Sequence, residues 1–193
     1  SGHARAFDWT GSAWVQVGQD LDAGFINALR GTEKALDMSG NGQRIALGFP
    51  RDSGGKGSTT VYELAGNSWV QVGQTLTSAT QSSFGVSVSL STNGSRVAVG
   101  ARNNAGRVEV YELLGNTWTI VGASINGDPI DELGTDVSLS GDGNRLLASA
   151  PGQSKLKVFD WNGSAWTQVG GDVQGHDTFG QNVAMSSDGQ RIA

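Results

Sequence analysis

The sequence predicts an all-β fold: a β-propeller of four repeats of about 48 residues, each folded as four short strands, alone or within a larger ring. Three observations carry this. FDWTGSAWVQVG (7–18) returns almost unchanged as FDWNGSAWTQVG (159–170), with VYELAGNSWVQVG (61–73) and VYELLGNTWTIVG (110–122) between them. The tryptophans of these stretches, Trp14, Trp69, Trp118 and Trp166, stand 55, 49 and 48 residues apart, a period that means a solenoid, propeller or array. A second element alternates with the first: MSGNGQRIALG, LSTNGSRVAVG, LSGDGNRLLAS and MSSDGQRIA, with arginines Arg44, Arg96, Arg145 and Arg191. Finally, Asn-Gly and Asp-Gly pairs separate runs of alternating polarity, the strongest short hairpin signal because both central turn residues need positive φ.

The elements follow in order, labelled A to D from the innermost strand outward. The chain opens on a C strand (4–9) and its D strand, a half-blade over 1–25. The stretch 22–39 is the least regular and reads as a diverged loop and first strand. Full blades follow over about 32–76, 83–125 and 132–173. In the last of these, TDVSLS alternates, GDG turns, NRLLASA follows, and KLKVFDW and SAWTQVG flank an Asn-Gly turn. An A–B half-blade over 178–193 ends the chain. No stretch keeps a 3.6-residue period over ten residues.

The two half-blades are complementary, and three arrangements satisfy them. The chain is a portion of a longer propeller, it closes on itself as four blades, or two chains exchange halves to make eight. Other propeller repeats, in the same or a second chain, are therefore expected partners, because unpaired strand edges are rarely left open.

SFGVSVSLSTNGSRVAVGARNNAGRVEVYEL (83–113) resembles the FG-GAP repeat of integrin-α-type β-propellers. It is similar, more closely, to tandem GxVxVYxxxGxxWxQVG repeats of bacterial and algal surface proteins. The Phe-Gly pair stands at Phe84-Gly85 and Phe179-Gly180, becomes Leu133-Gly134 in the third copy and is lost in the first. The resemblance spans essentially the whole chain. It implies a propeller and an extracellular or cell-surface setting with a binding or adhesive role, and names no ligand.

Composition narrows the chemistry. A net charge of −5 with no basic run excludes nucleic acid and anionic membrane as natural partners, and no apolar run is long enough for membrane insertion. Without cysteine there is neither a disulfide framework nor a thiolate metal site. Integrin-type repeats often carry a calcium loop between strands A and B. Here those turns, SGNGQ, STNGS, SGDGN and SSDGQ, offer at most one carboxylate each, too few oxygen ligands, so no cofactor is expected. The acidic cluster Asp128, Asp131, Glu132 and Asp136 occurs in one blade only and reads as a solvated loop, a weak metal candidate.

The repeated tryptophans are expected to fill the gaps between blades, whereas Trp9 and Trp161 replace Leu64 and Leu113 and are better surface candidates. His3 and His176 lie in unlike loops, and no nucleophile elbow or triad pattern accompanies them, so the chain reads as a non-enzyme. Asn93 and Asn162 match the glycosylation acceptor pattern, but each sits in a tight turn that wants Asn for its backbone. The expected function is a non-enzymatic extracellular binding, adhesion or structural module. It would recognise a protein or glycan through the divergent rim loops 20–32, 74–83, 123–133 and 171–178. A lectin with repeated inter-blade sites is the alternative, and a propeller enzyme comes last.

Overall fold

Each blade grows from one short recurring hairpin. In SxNG or SxDG followed by a residue and Arg, the serine hydroxyl accepts the arginine backbone N–H at 2.9–3.0 Å in all four copies. The Asn or Asp two residues on accepts that serine's O–H and the backbone N–H two residues beyond itself. The turn is thereby saturated from within, and the Gly at its centre takes the positive φ it requires.

A computed structural model describes residues 3–22, 35–80, 82–103, 105–177 and 179–193. The expected irregular stretch and the rim loop 20–32 lie largely outside the described residues. The opening half-blade is a two-stranded antiparallel sheet of β1 (His3–Trp9) and β2 (Trp14–Asp22). Three sheets follow, built alike. The first runs β3 (Leu36–Met38), β4 (Arg44–Phe49), β5 (Ser58–Ala65) and β6 (Ser68–Gln71), with β7 (Leu76–Thr77) also on β5. The second is β8 (Phe84–Leu90), β9 (Arg96–Ala101), β10 (Arg107–Leu114) and β11 (Thr117–Ile120), with β12 (Ile125–Asn126) on β10. The third is β13 (Val137–Leu139), β14 (Arg145–Ala150), β15 (Lys155–Trp161) and β16 (Trp166–Gln168), with β17 (Val173–Gln174) on β15. The all-β propeller expected from the repeat is what the chain forms.

The fifth short strand of each sheet was not foreseen. It continues the outermost strand after a break at the Val-Gly of WxxVG, where Gly73 and Gly122 have φ of 70° and 74°. In the half-blade the same path is one continuous strand, β2, with its register shifting across Ala4–Ala6.

The core lies between sheets rather than within one. β8 is buried along its whole length and β9, β4 and β14 over all but their first residue, because neighbouring sheets face both of their sides. Three joints recur between successive blades. At the inner strands, the Asp37 carboxylate accepts the Leu90 N–H at 2.6 Å, and Ser89 and Ser138 hydroxyls accept those of Leu139 and Met185 at 3.0 and 3.1 Å. The A–B turns are chained by backbone bonds from Asn41 to Thr92, Thr92 to Gly141 and Gly141 to Ser187. At the periphery, the Trp69, Trp118 and Trp166 indoles donate to the carbonyls of Val17, Val72 and Val121 in the preceding blade at 2.9–3.0 Å. Trp69 and Trp118 are buried by this joint, as expected, whereas Trp14 is 67 % exposed.

Candidate functional site

The repeated arginine does two jobs. Arg145 Nε donates to Asp160 Oδ1 of its own blade at 2.6 Å, and Arg145 Nη1 donates to the Gly189 carbonyl of the next A–B turn at 3.0 Å. Arg44 joins Glu63 to Gly94 and Arg96 joins Glu112 to Gly143 in the same way. Each arginine thus stitches two blades, and each stitch borders a groove between them.

Two of these grooves are open clefts. One, of about 250 Å³, lies between the third full blade and the final half-blade and is bordered by Asp142, Arg145, Asp160, Trp161 and Asp188. The other, of about 310 Å³, lies one blade earlier and is bordered by Arg96, Glu112, Gly122, Trp161 and Gly163. In the first, hydrogen bonds hold all three carboxyls below the usual carboxylate pKa. The donors are Arg145 for Asp160, Ser140 and Asn144 for Asp142, and Ser186 and Gln190 for Asp188. The cleft is therefore anionic at neutral pH, with three carboxylates against one guanidinium. Asp188 spends Oδ1 on both of its hydrogen bonds, leaving Oδ2 without a partner among the described residues.

The residues singled out in the sequence are placed as follows. Asp128 and Asp131 come together, but not as a solvated loop: Asp131 is fully buried against Lys155 and Lys157, at 2.9 and 3.2 Å. The reading as a solvated loop is corrected because the two lysines, on the start of β15, fold under the loop and draw its carboxylates inward. Burial alone would lower the Lys155 pKa, but Asp131, Asp172 and Asp128 together hold it above its usual value. Glu132 is exposed beside this network, and Asp136 is elsewhere, accepting the Val137 and Val183 N–H groups at 2.9 and 2.6 Å between inner strands. Among the described residues no group of three or more His, Asp or Glu is arranged to hold a metal ion.

Asn93 and Asn162 each spend Oδ1 on their own turn, on Ser91 and Ser95 and on Ser164 and Ala165 respectively. His3 begins β1 while His176 follows β17, on different sheets. Trp9 packs against Trp14 with ring centroids 5.4 Å apart and planes tilted by 51°, and Trp161 against Trp166 at 5.6 Å and 48°. Trp9 is 55 % exposed, whereas Trp161 is partly covered and reaches Gly122. The arginine–acid pairs were missed. The signal was present: Glu63, Glu112 and Asp160 recur at the same offset before each repeated Trp, and so does Asp8.

No protein-family description and no curated protein matches the chain. Solved structures do. A candidate 6-phosphogluconolactonase from Bacteroides fragilis superposes with a TM-score of 0.59 at 17 % identity, over 76 % of this chain and 40 % of that one. Another, from Bacteroides uniformis, gives 0.63 at 14 % identity over 91 % and 49 %. Hydrazine synthase of Kuenenia stuttgartiensis gives 0.54 at 15 % identity over 88 % and 44 %. The chain therefore spans less than half the length of these proteins. At such identities the likeness establishes the fold. It also overturns the reading as a non-enzymatic adhesion or binding module and its lectin alternative, since structures built on this fold bear the names of enzymes.

Proposed function

We propose that the chain forms part of a propeller hydrolase acting on a cyclic ester of a polyhydroxylated acid, a sugar lactone. The observation that carries the reading is the propeller shared with two structures named as candidate 6-phosphogluconolactonases. The cleft beside Arg145 supports it and modifies the substrate. Trp161 offers an apolar face for a sugar ring, and carboxylates are good acceptors for its hydroxyls. Three ionised carboxylates against one arginine repel a phosphate group, so the substrate is the neutral lactone rather than its phosphate ester.

Asp188 Oδ2 is the general base. It takes a proton from a water whose oxygen bonds to the lactone carbonyl carbon, and it returns that proton to the ring oxygen as the acyl C–O bond breaks. A positioned base contributes about 10²–10⁴-fold, and the lowered pKa of Asp188 places it at the weak end of that range. The test is proton release from gluconolactone at constant pH, with and without the chain. Acceleration over the spontaneous rate is expected. Asp188→Asn abolishes most of it while leaving the fold intact, because Asn41 and Asn93 already make the same turn. A rate equal to the spontaneous one, or an Asp188→Asn variant as fast as the parent, defeats the reading.

A further inference from the structure

We propose that the groove beside Arg96, between the second and third full blades, binds a free α-amino acid with an apolar side chain. The ligand's carboxylate lies on Arg96, its ammonium on Glu112, and its side chain among Leu114, Ile120, Val121 and Trp161. The groove holds about 310 Å³, the small end of the range for ligand pockets, and so suits a ligand of this size.

The polar end comes from a stitch that is only half made. Arg44 donates through Nε and Nη2 to Glu63, and Arg145 donates through the same two atoms to Asp160. Arg96 reaches Glu112 through Nε alone, at 3.2 Å. Asn144 is the cause. Its Oδ1 accepts from Arg96 Nη1 at 2.6 Å, alongside the Gly143 carbonyl at 3.1 Å, and draws the guanidinium away from Glu112. The equivalent turns carry Ser95 and Gln190, where Arg44 and Arg145 bond only the glycine carbonyl of the turn. Arg96 Nη2 and Glu112 Oε2 are thus left without partners among the described residues.

These spare atoms are a cationic donor and an anionic acceptor on the border of one groove. A guanidinium N–H takes a carboxylate oxygen in a charge-assisted bond, and a carboxylate takes an ammonium in the same way. Arg96 and Glu112 are the charged residues among those bordering the groove, and their charges cancel. A simple carboxylic acid meets repulsion from Glu112, and a simple amine meets it from Arg96. A zwitterion satisfies both.

The apolar end is peculiar to this blade. Leu114 is 57 % exposed and Ile120 is 42 % exposed. The other full blades carry Ala65 and Asn162 at the first position and Gln71 and Gln168 at the second. Those glutamines serve their own strand ends: the Gln71 amide donates to the Gly73 carbonyl, and the Gln168 amide to Asp172. Ile120 gives up such a bond and turns an aliphatic surface to the groove. Trp161 completes the wall, its ring lying against Gly122. Exposed apolar side chains gathered around one polar pair are the composition of a ligand site.

The experiment is saturation-transfer nuclear magnetic resonance of L-leucine with the whole chain, followed by titration. Binding with a Kd at or below about 1 mM is expected. Isocaproate, which lacks the ammonium, and isoamylamine, which lacks the carboxylate, bind at least about tenfold more weakly. Ile120→Gln installs the residue that Gln71 and Gln168 show this strand accepts; it weakens L-leucine at least about tenfold with an unchanged circular dichroism spectrum. Asn144→Ser lets Arg96 close on Glu112 with both arms, as Arg44 does on Glu63, and abolishes the preference for the zwitterion. Lactone turnover does not enter this readout. Absence of binding by the parent overturns the proposal, as does equal binding of the three ligands. L-leucine binding that neither substitution alters overturns it equally.

Discussion

The joint between Trp118 and Gly73 can be dissected by a double-mutant cycle. Trp118 is 2 % exposed; its indole donates to the Val72 carbonyl at 2.9 Å, and the Gln74 amide grips both its N–H and its carbonyl, at 2.9 and 2.6 Å. Trp118→Ala empties this space and costs about 3–5 kcal/mol. Gly73→Ala acts from the other side. A Cβ there lies 2.5 Å from Trp118 Cδ1, well inside contact distance, and the residue has φ of +70°. The left-handed backbone costs about 1–2 kcal/mol for a residue with a Cβ. Pressing on the indole adds about 1–3 kcal/mol of overpacking. In the Trp118→Ala background the second part disappears and the first remains, so the two changes together cost about 1–3 kcal/mol less than their sum. Urea unfolding followed by far-ultraviolet circular dichroism reads all four corners of the cycle. Additivity within about 0.5 kcal/mol would show that the glycine is required only for its backbone angle, and would refute the argument that the indole demands it.

The buried network and the turns give two more tests. Asp131→Asn leaves the Lys155 and Lys157 ammoniums short of their buried counter-ion and costs about 3 kcal/mol in the same urea titration. Asp128→Asn, at a side chain 70 % exposed, costs much less than Asp131→Asn; equal losses would contradict the burial argument. The folded-state pKa values of Asp142 and Asp160 are lowered from 3.8, so the stability they contribute is present above that value and is lost as pH falls through the folded values. Stability should therefore be level near neutrality and decline below about pH 4, with a shallower decline in Asp142→Asn, whose amide keeps the turn that Asn41 and Asn93 make. An unchanged acid limb in that variant would remove Asp142 from the account.

The blades were legible because each depends on contacts closed within a dozen residues. The Ser, Asn or Asp, Gly and Arg of each hairpin satisfy one another, so the pattern in the sequence is the same object as the turn in space. The split of the outer strand was less visible. WVQVG reads as one alternating run, and nothing in that alternation shows that the ladder breaks at its glycine, which takes a positive φ of 70–74° at Gly73, Gly122 and Gly170. The Asp131 network was hidden for a similar reason. Its lysines stand on another strand, and in the neighbouring blades the same two positions carry Arg107 and Glu109 or Ser58 and Thr60. A loop rich in carboxylates looks solvated until the strand beneath it is found to supply the cations.

The candidate site was hidden by repetition itself. A residue that recurs in every repeat is ordinarily assigned to the scaffold, and Arg145, Asp160, Asp142 and Asp188 are all scaffold residues by that measure. Each satisfies a turn or a stitch. What distinguishes one groove from the next is the variable partner. The Arg145 groove has carboxylates at both Asp142 and Asp188, where the earlier turns have Asn41 and Asn93, and it shares Trp161 with the Arg96 groove. Charge and an aromatic face have therefore been added to a joint whose geometry was already fixed. Chemistry placed on a joint of this kind depends on both of the blades that meet there, here on Asp142, Arg145 and Asp160 of one and on Asp188 of the next.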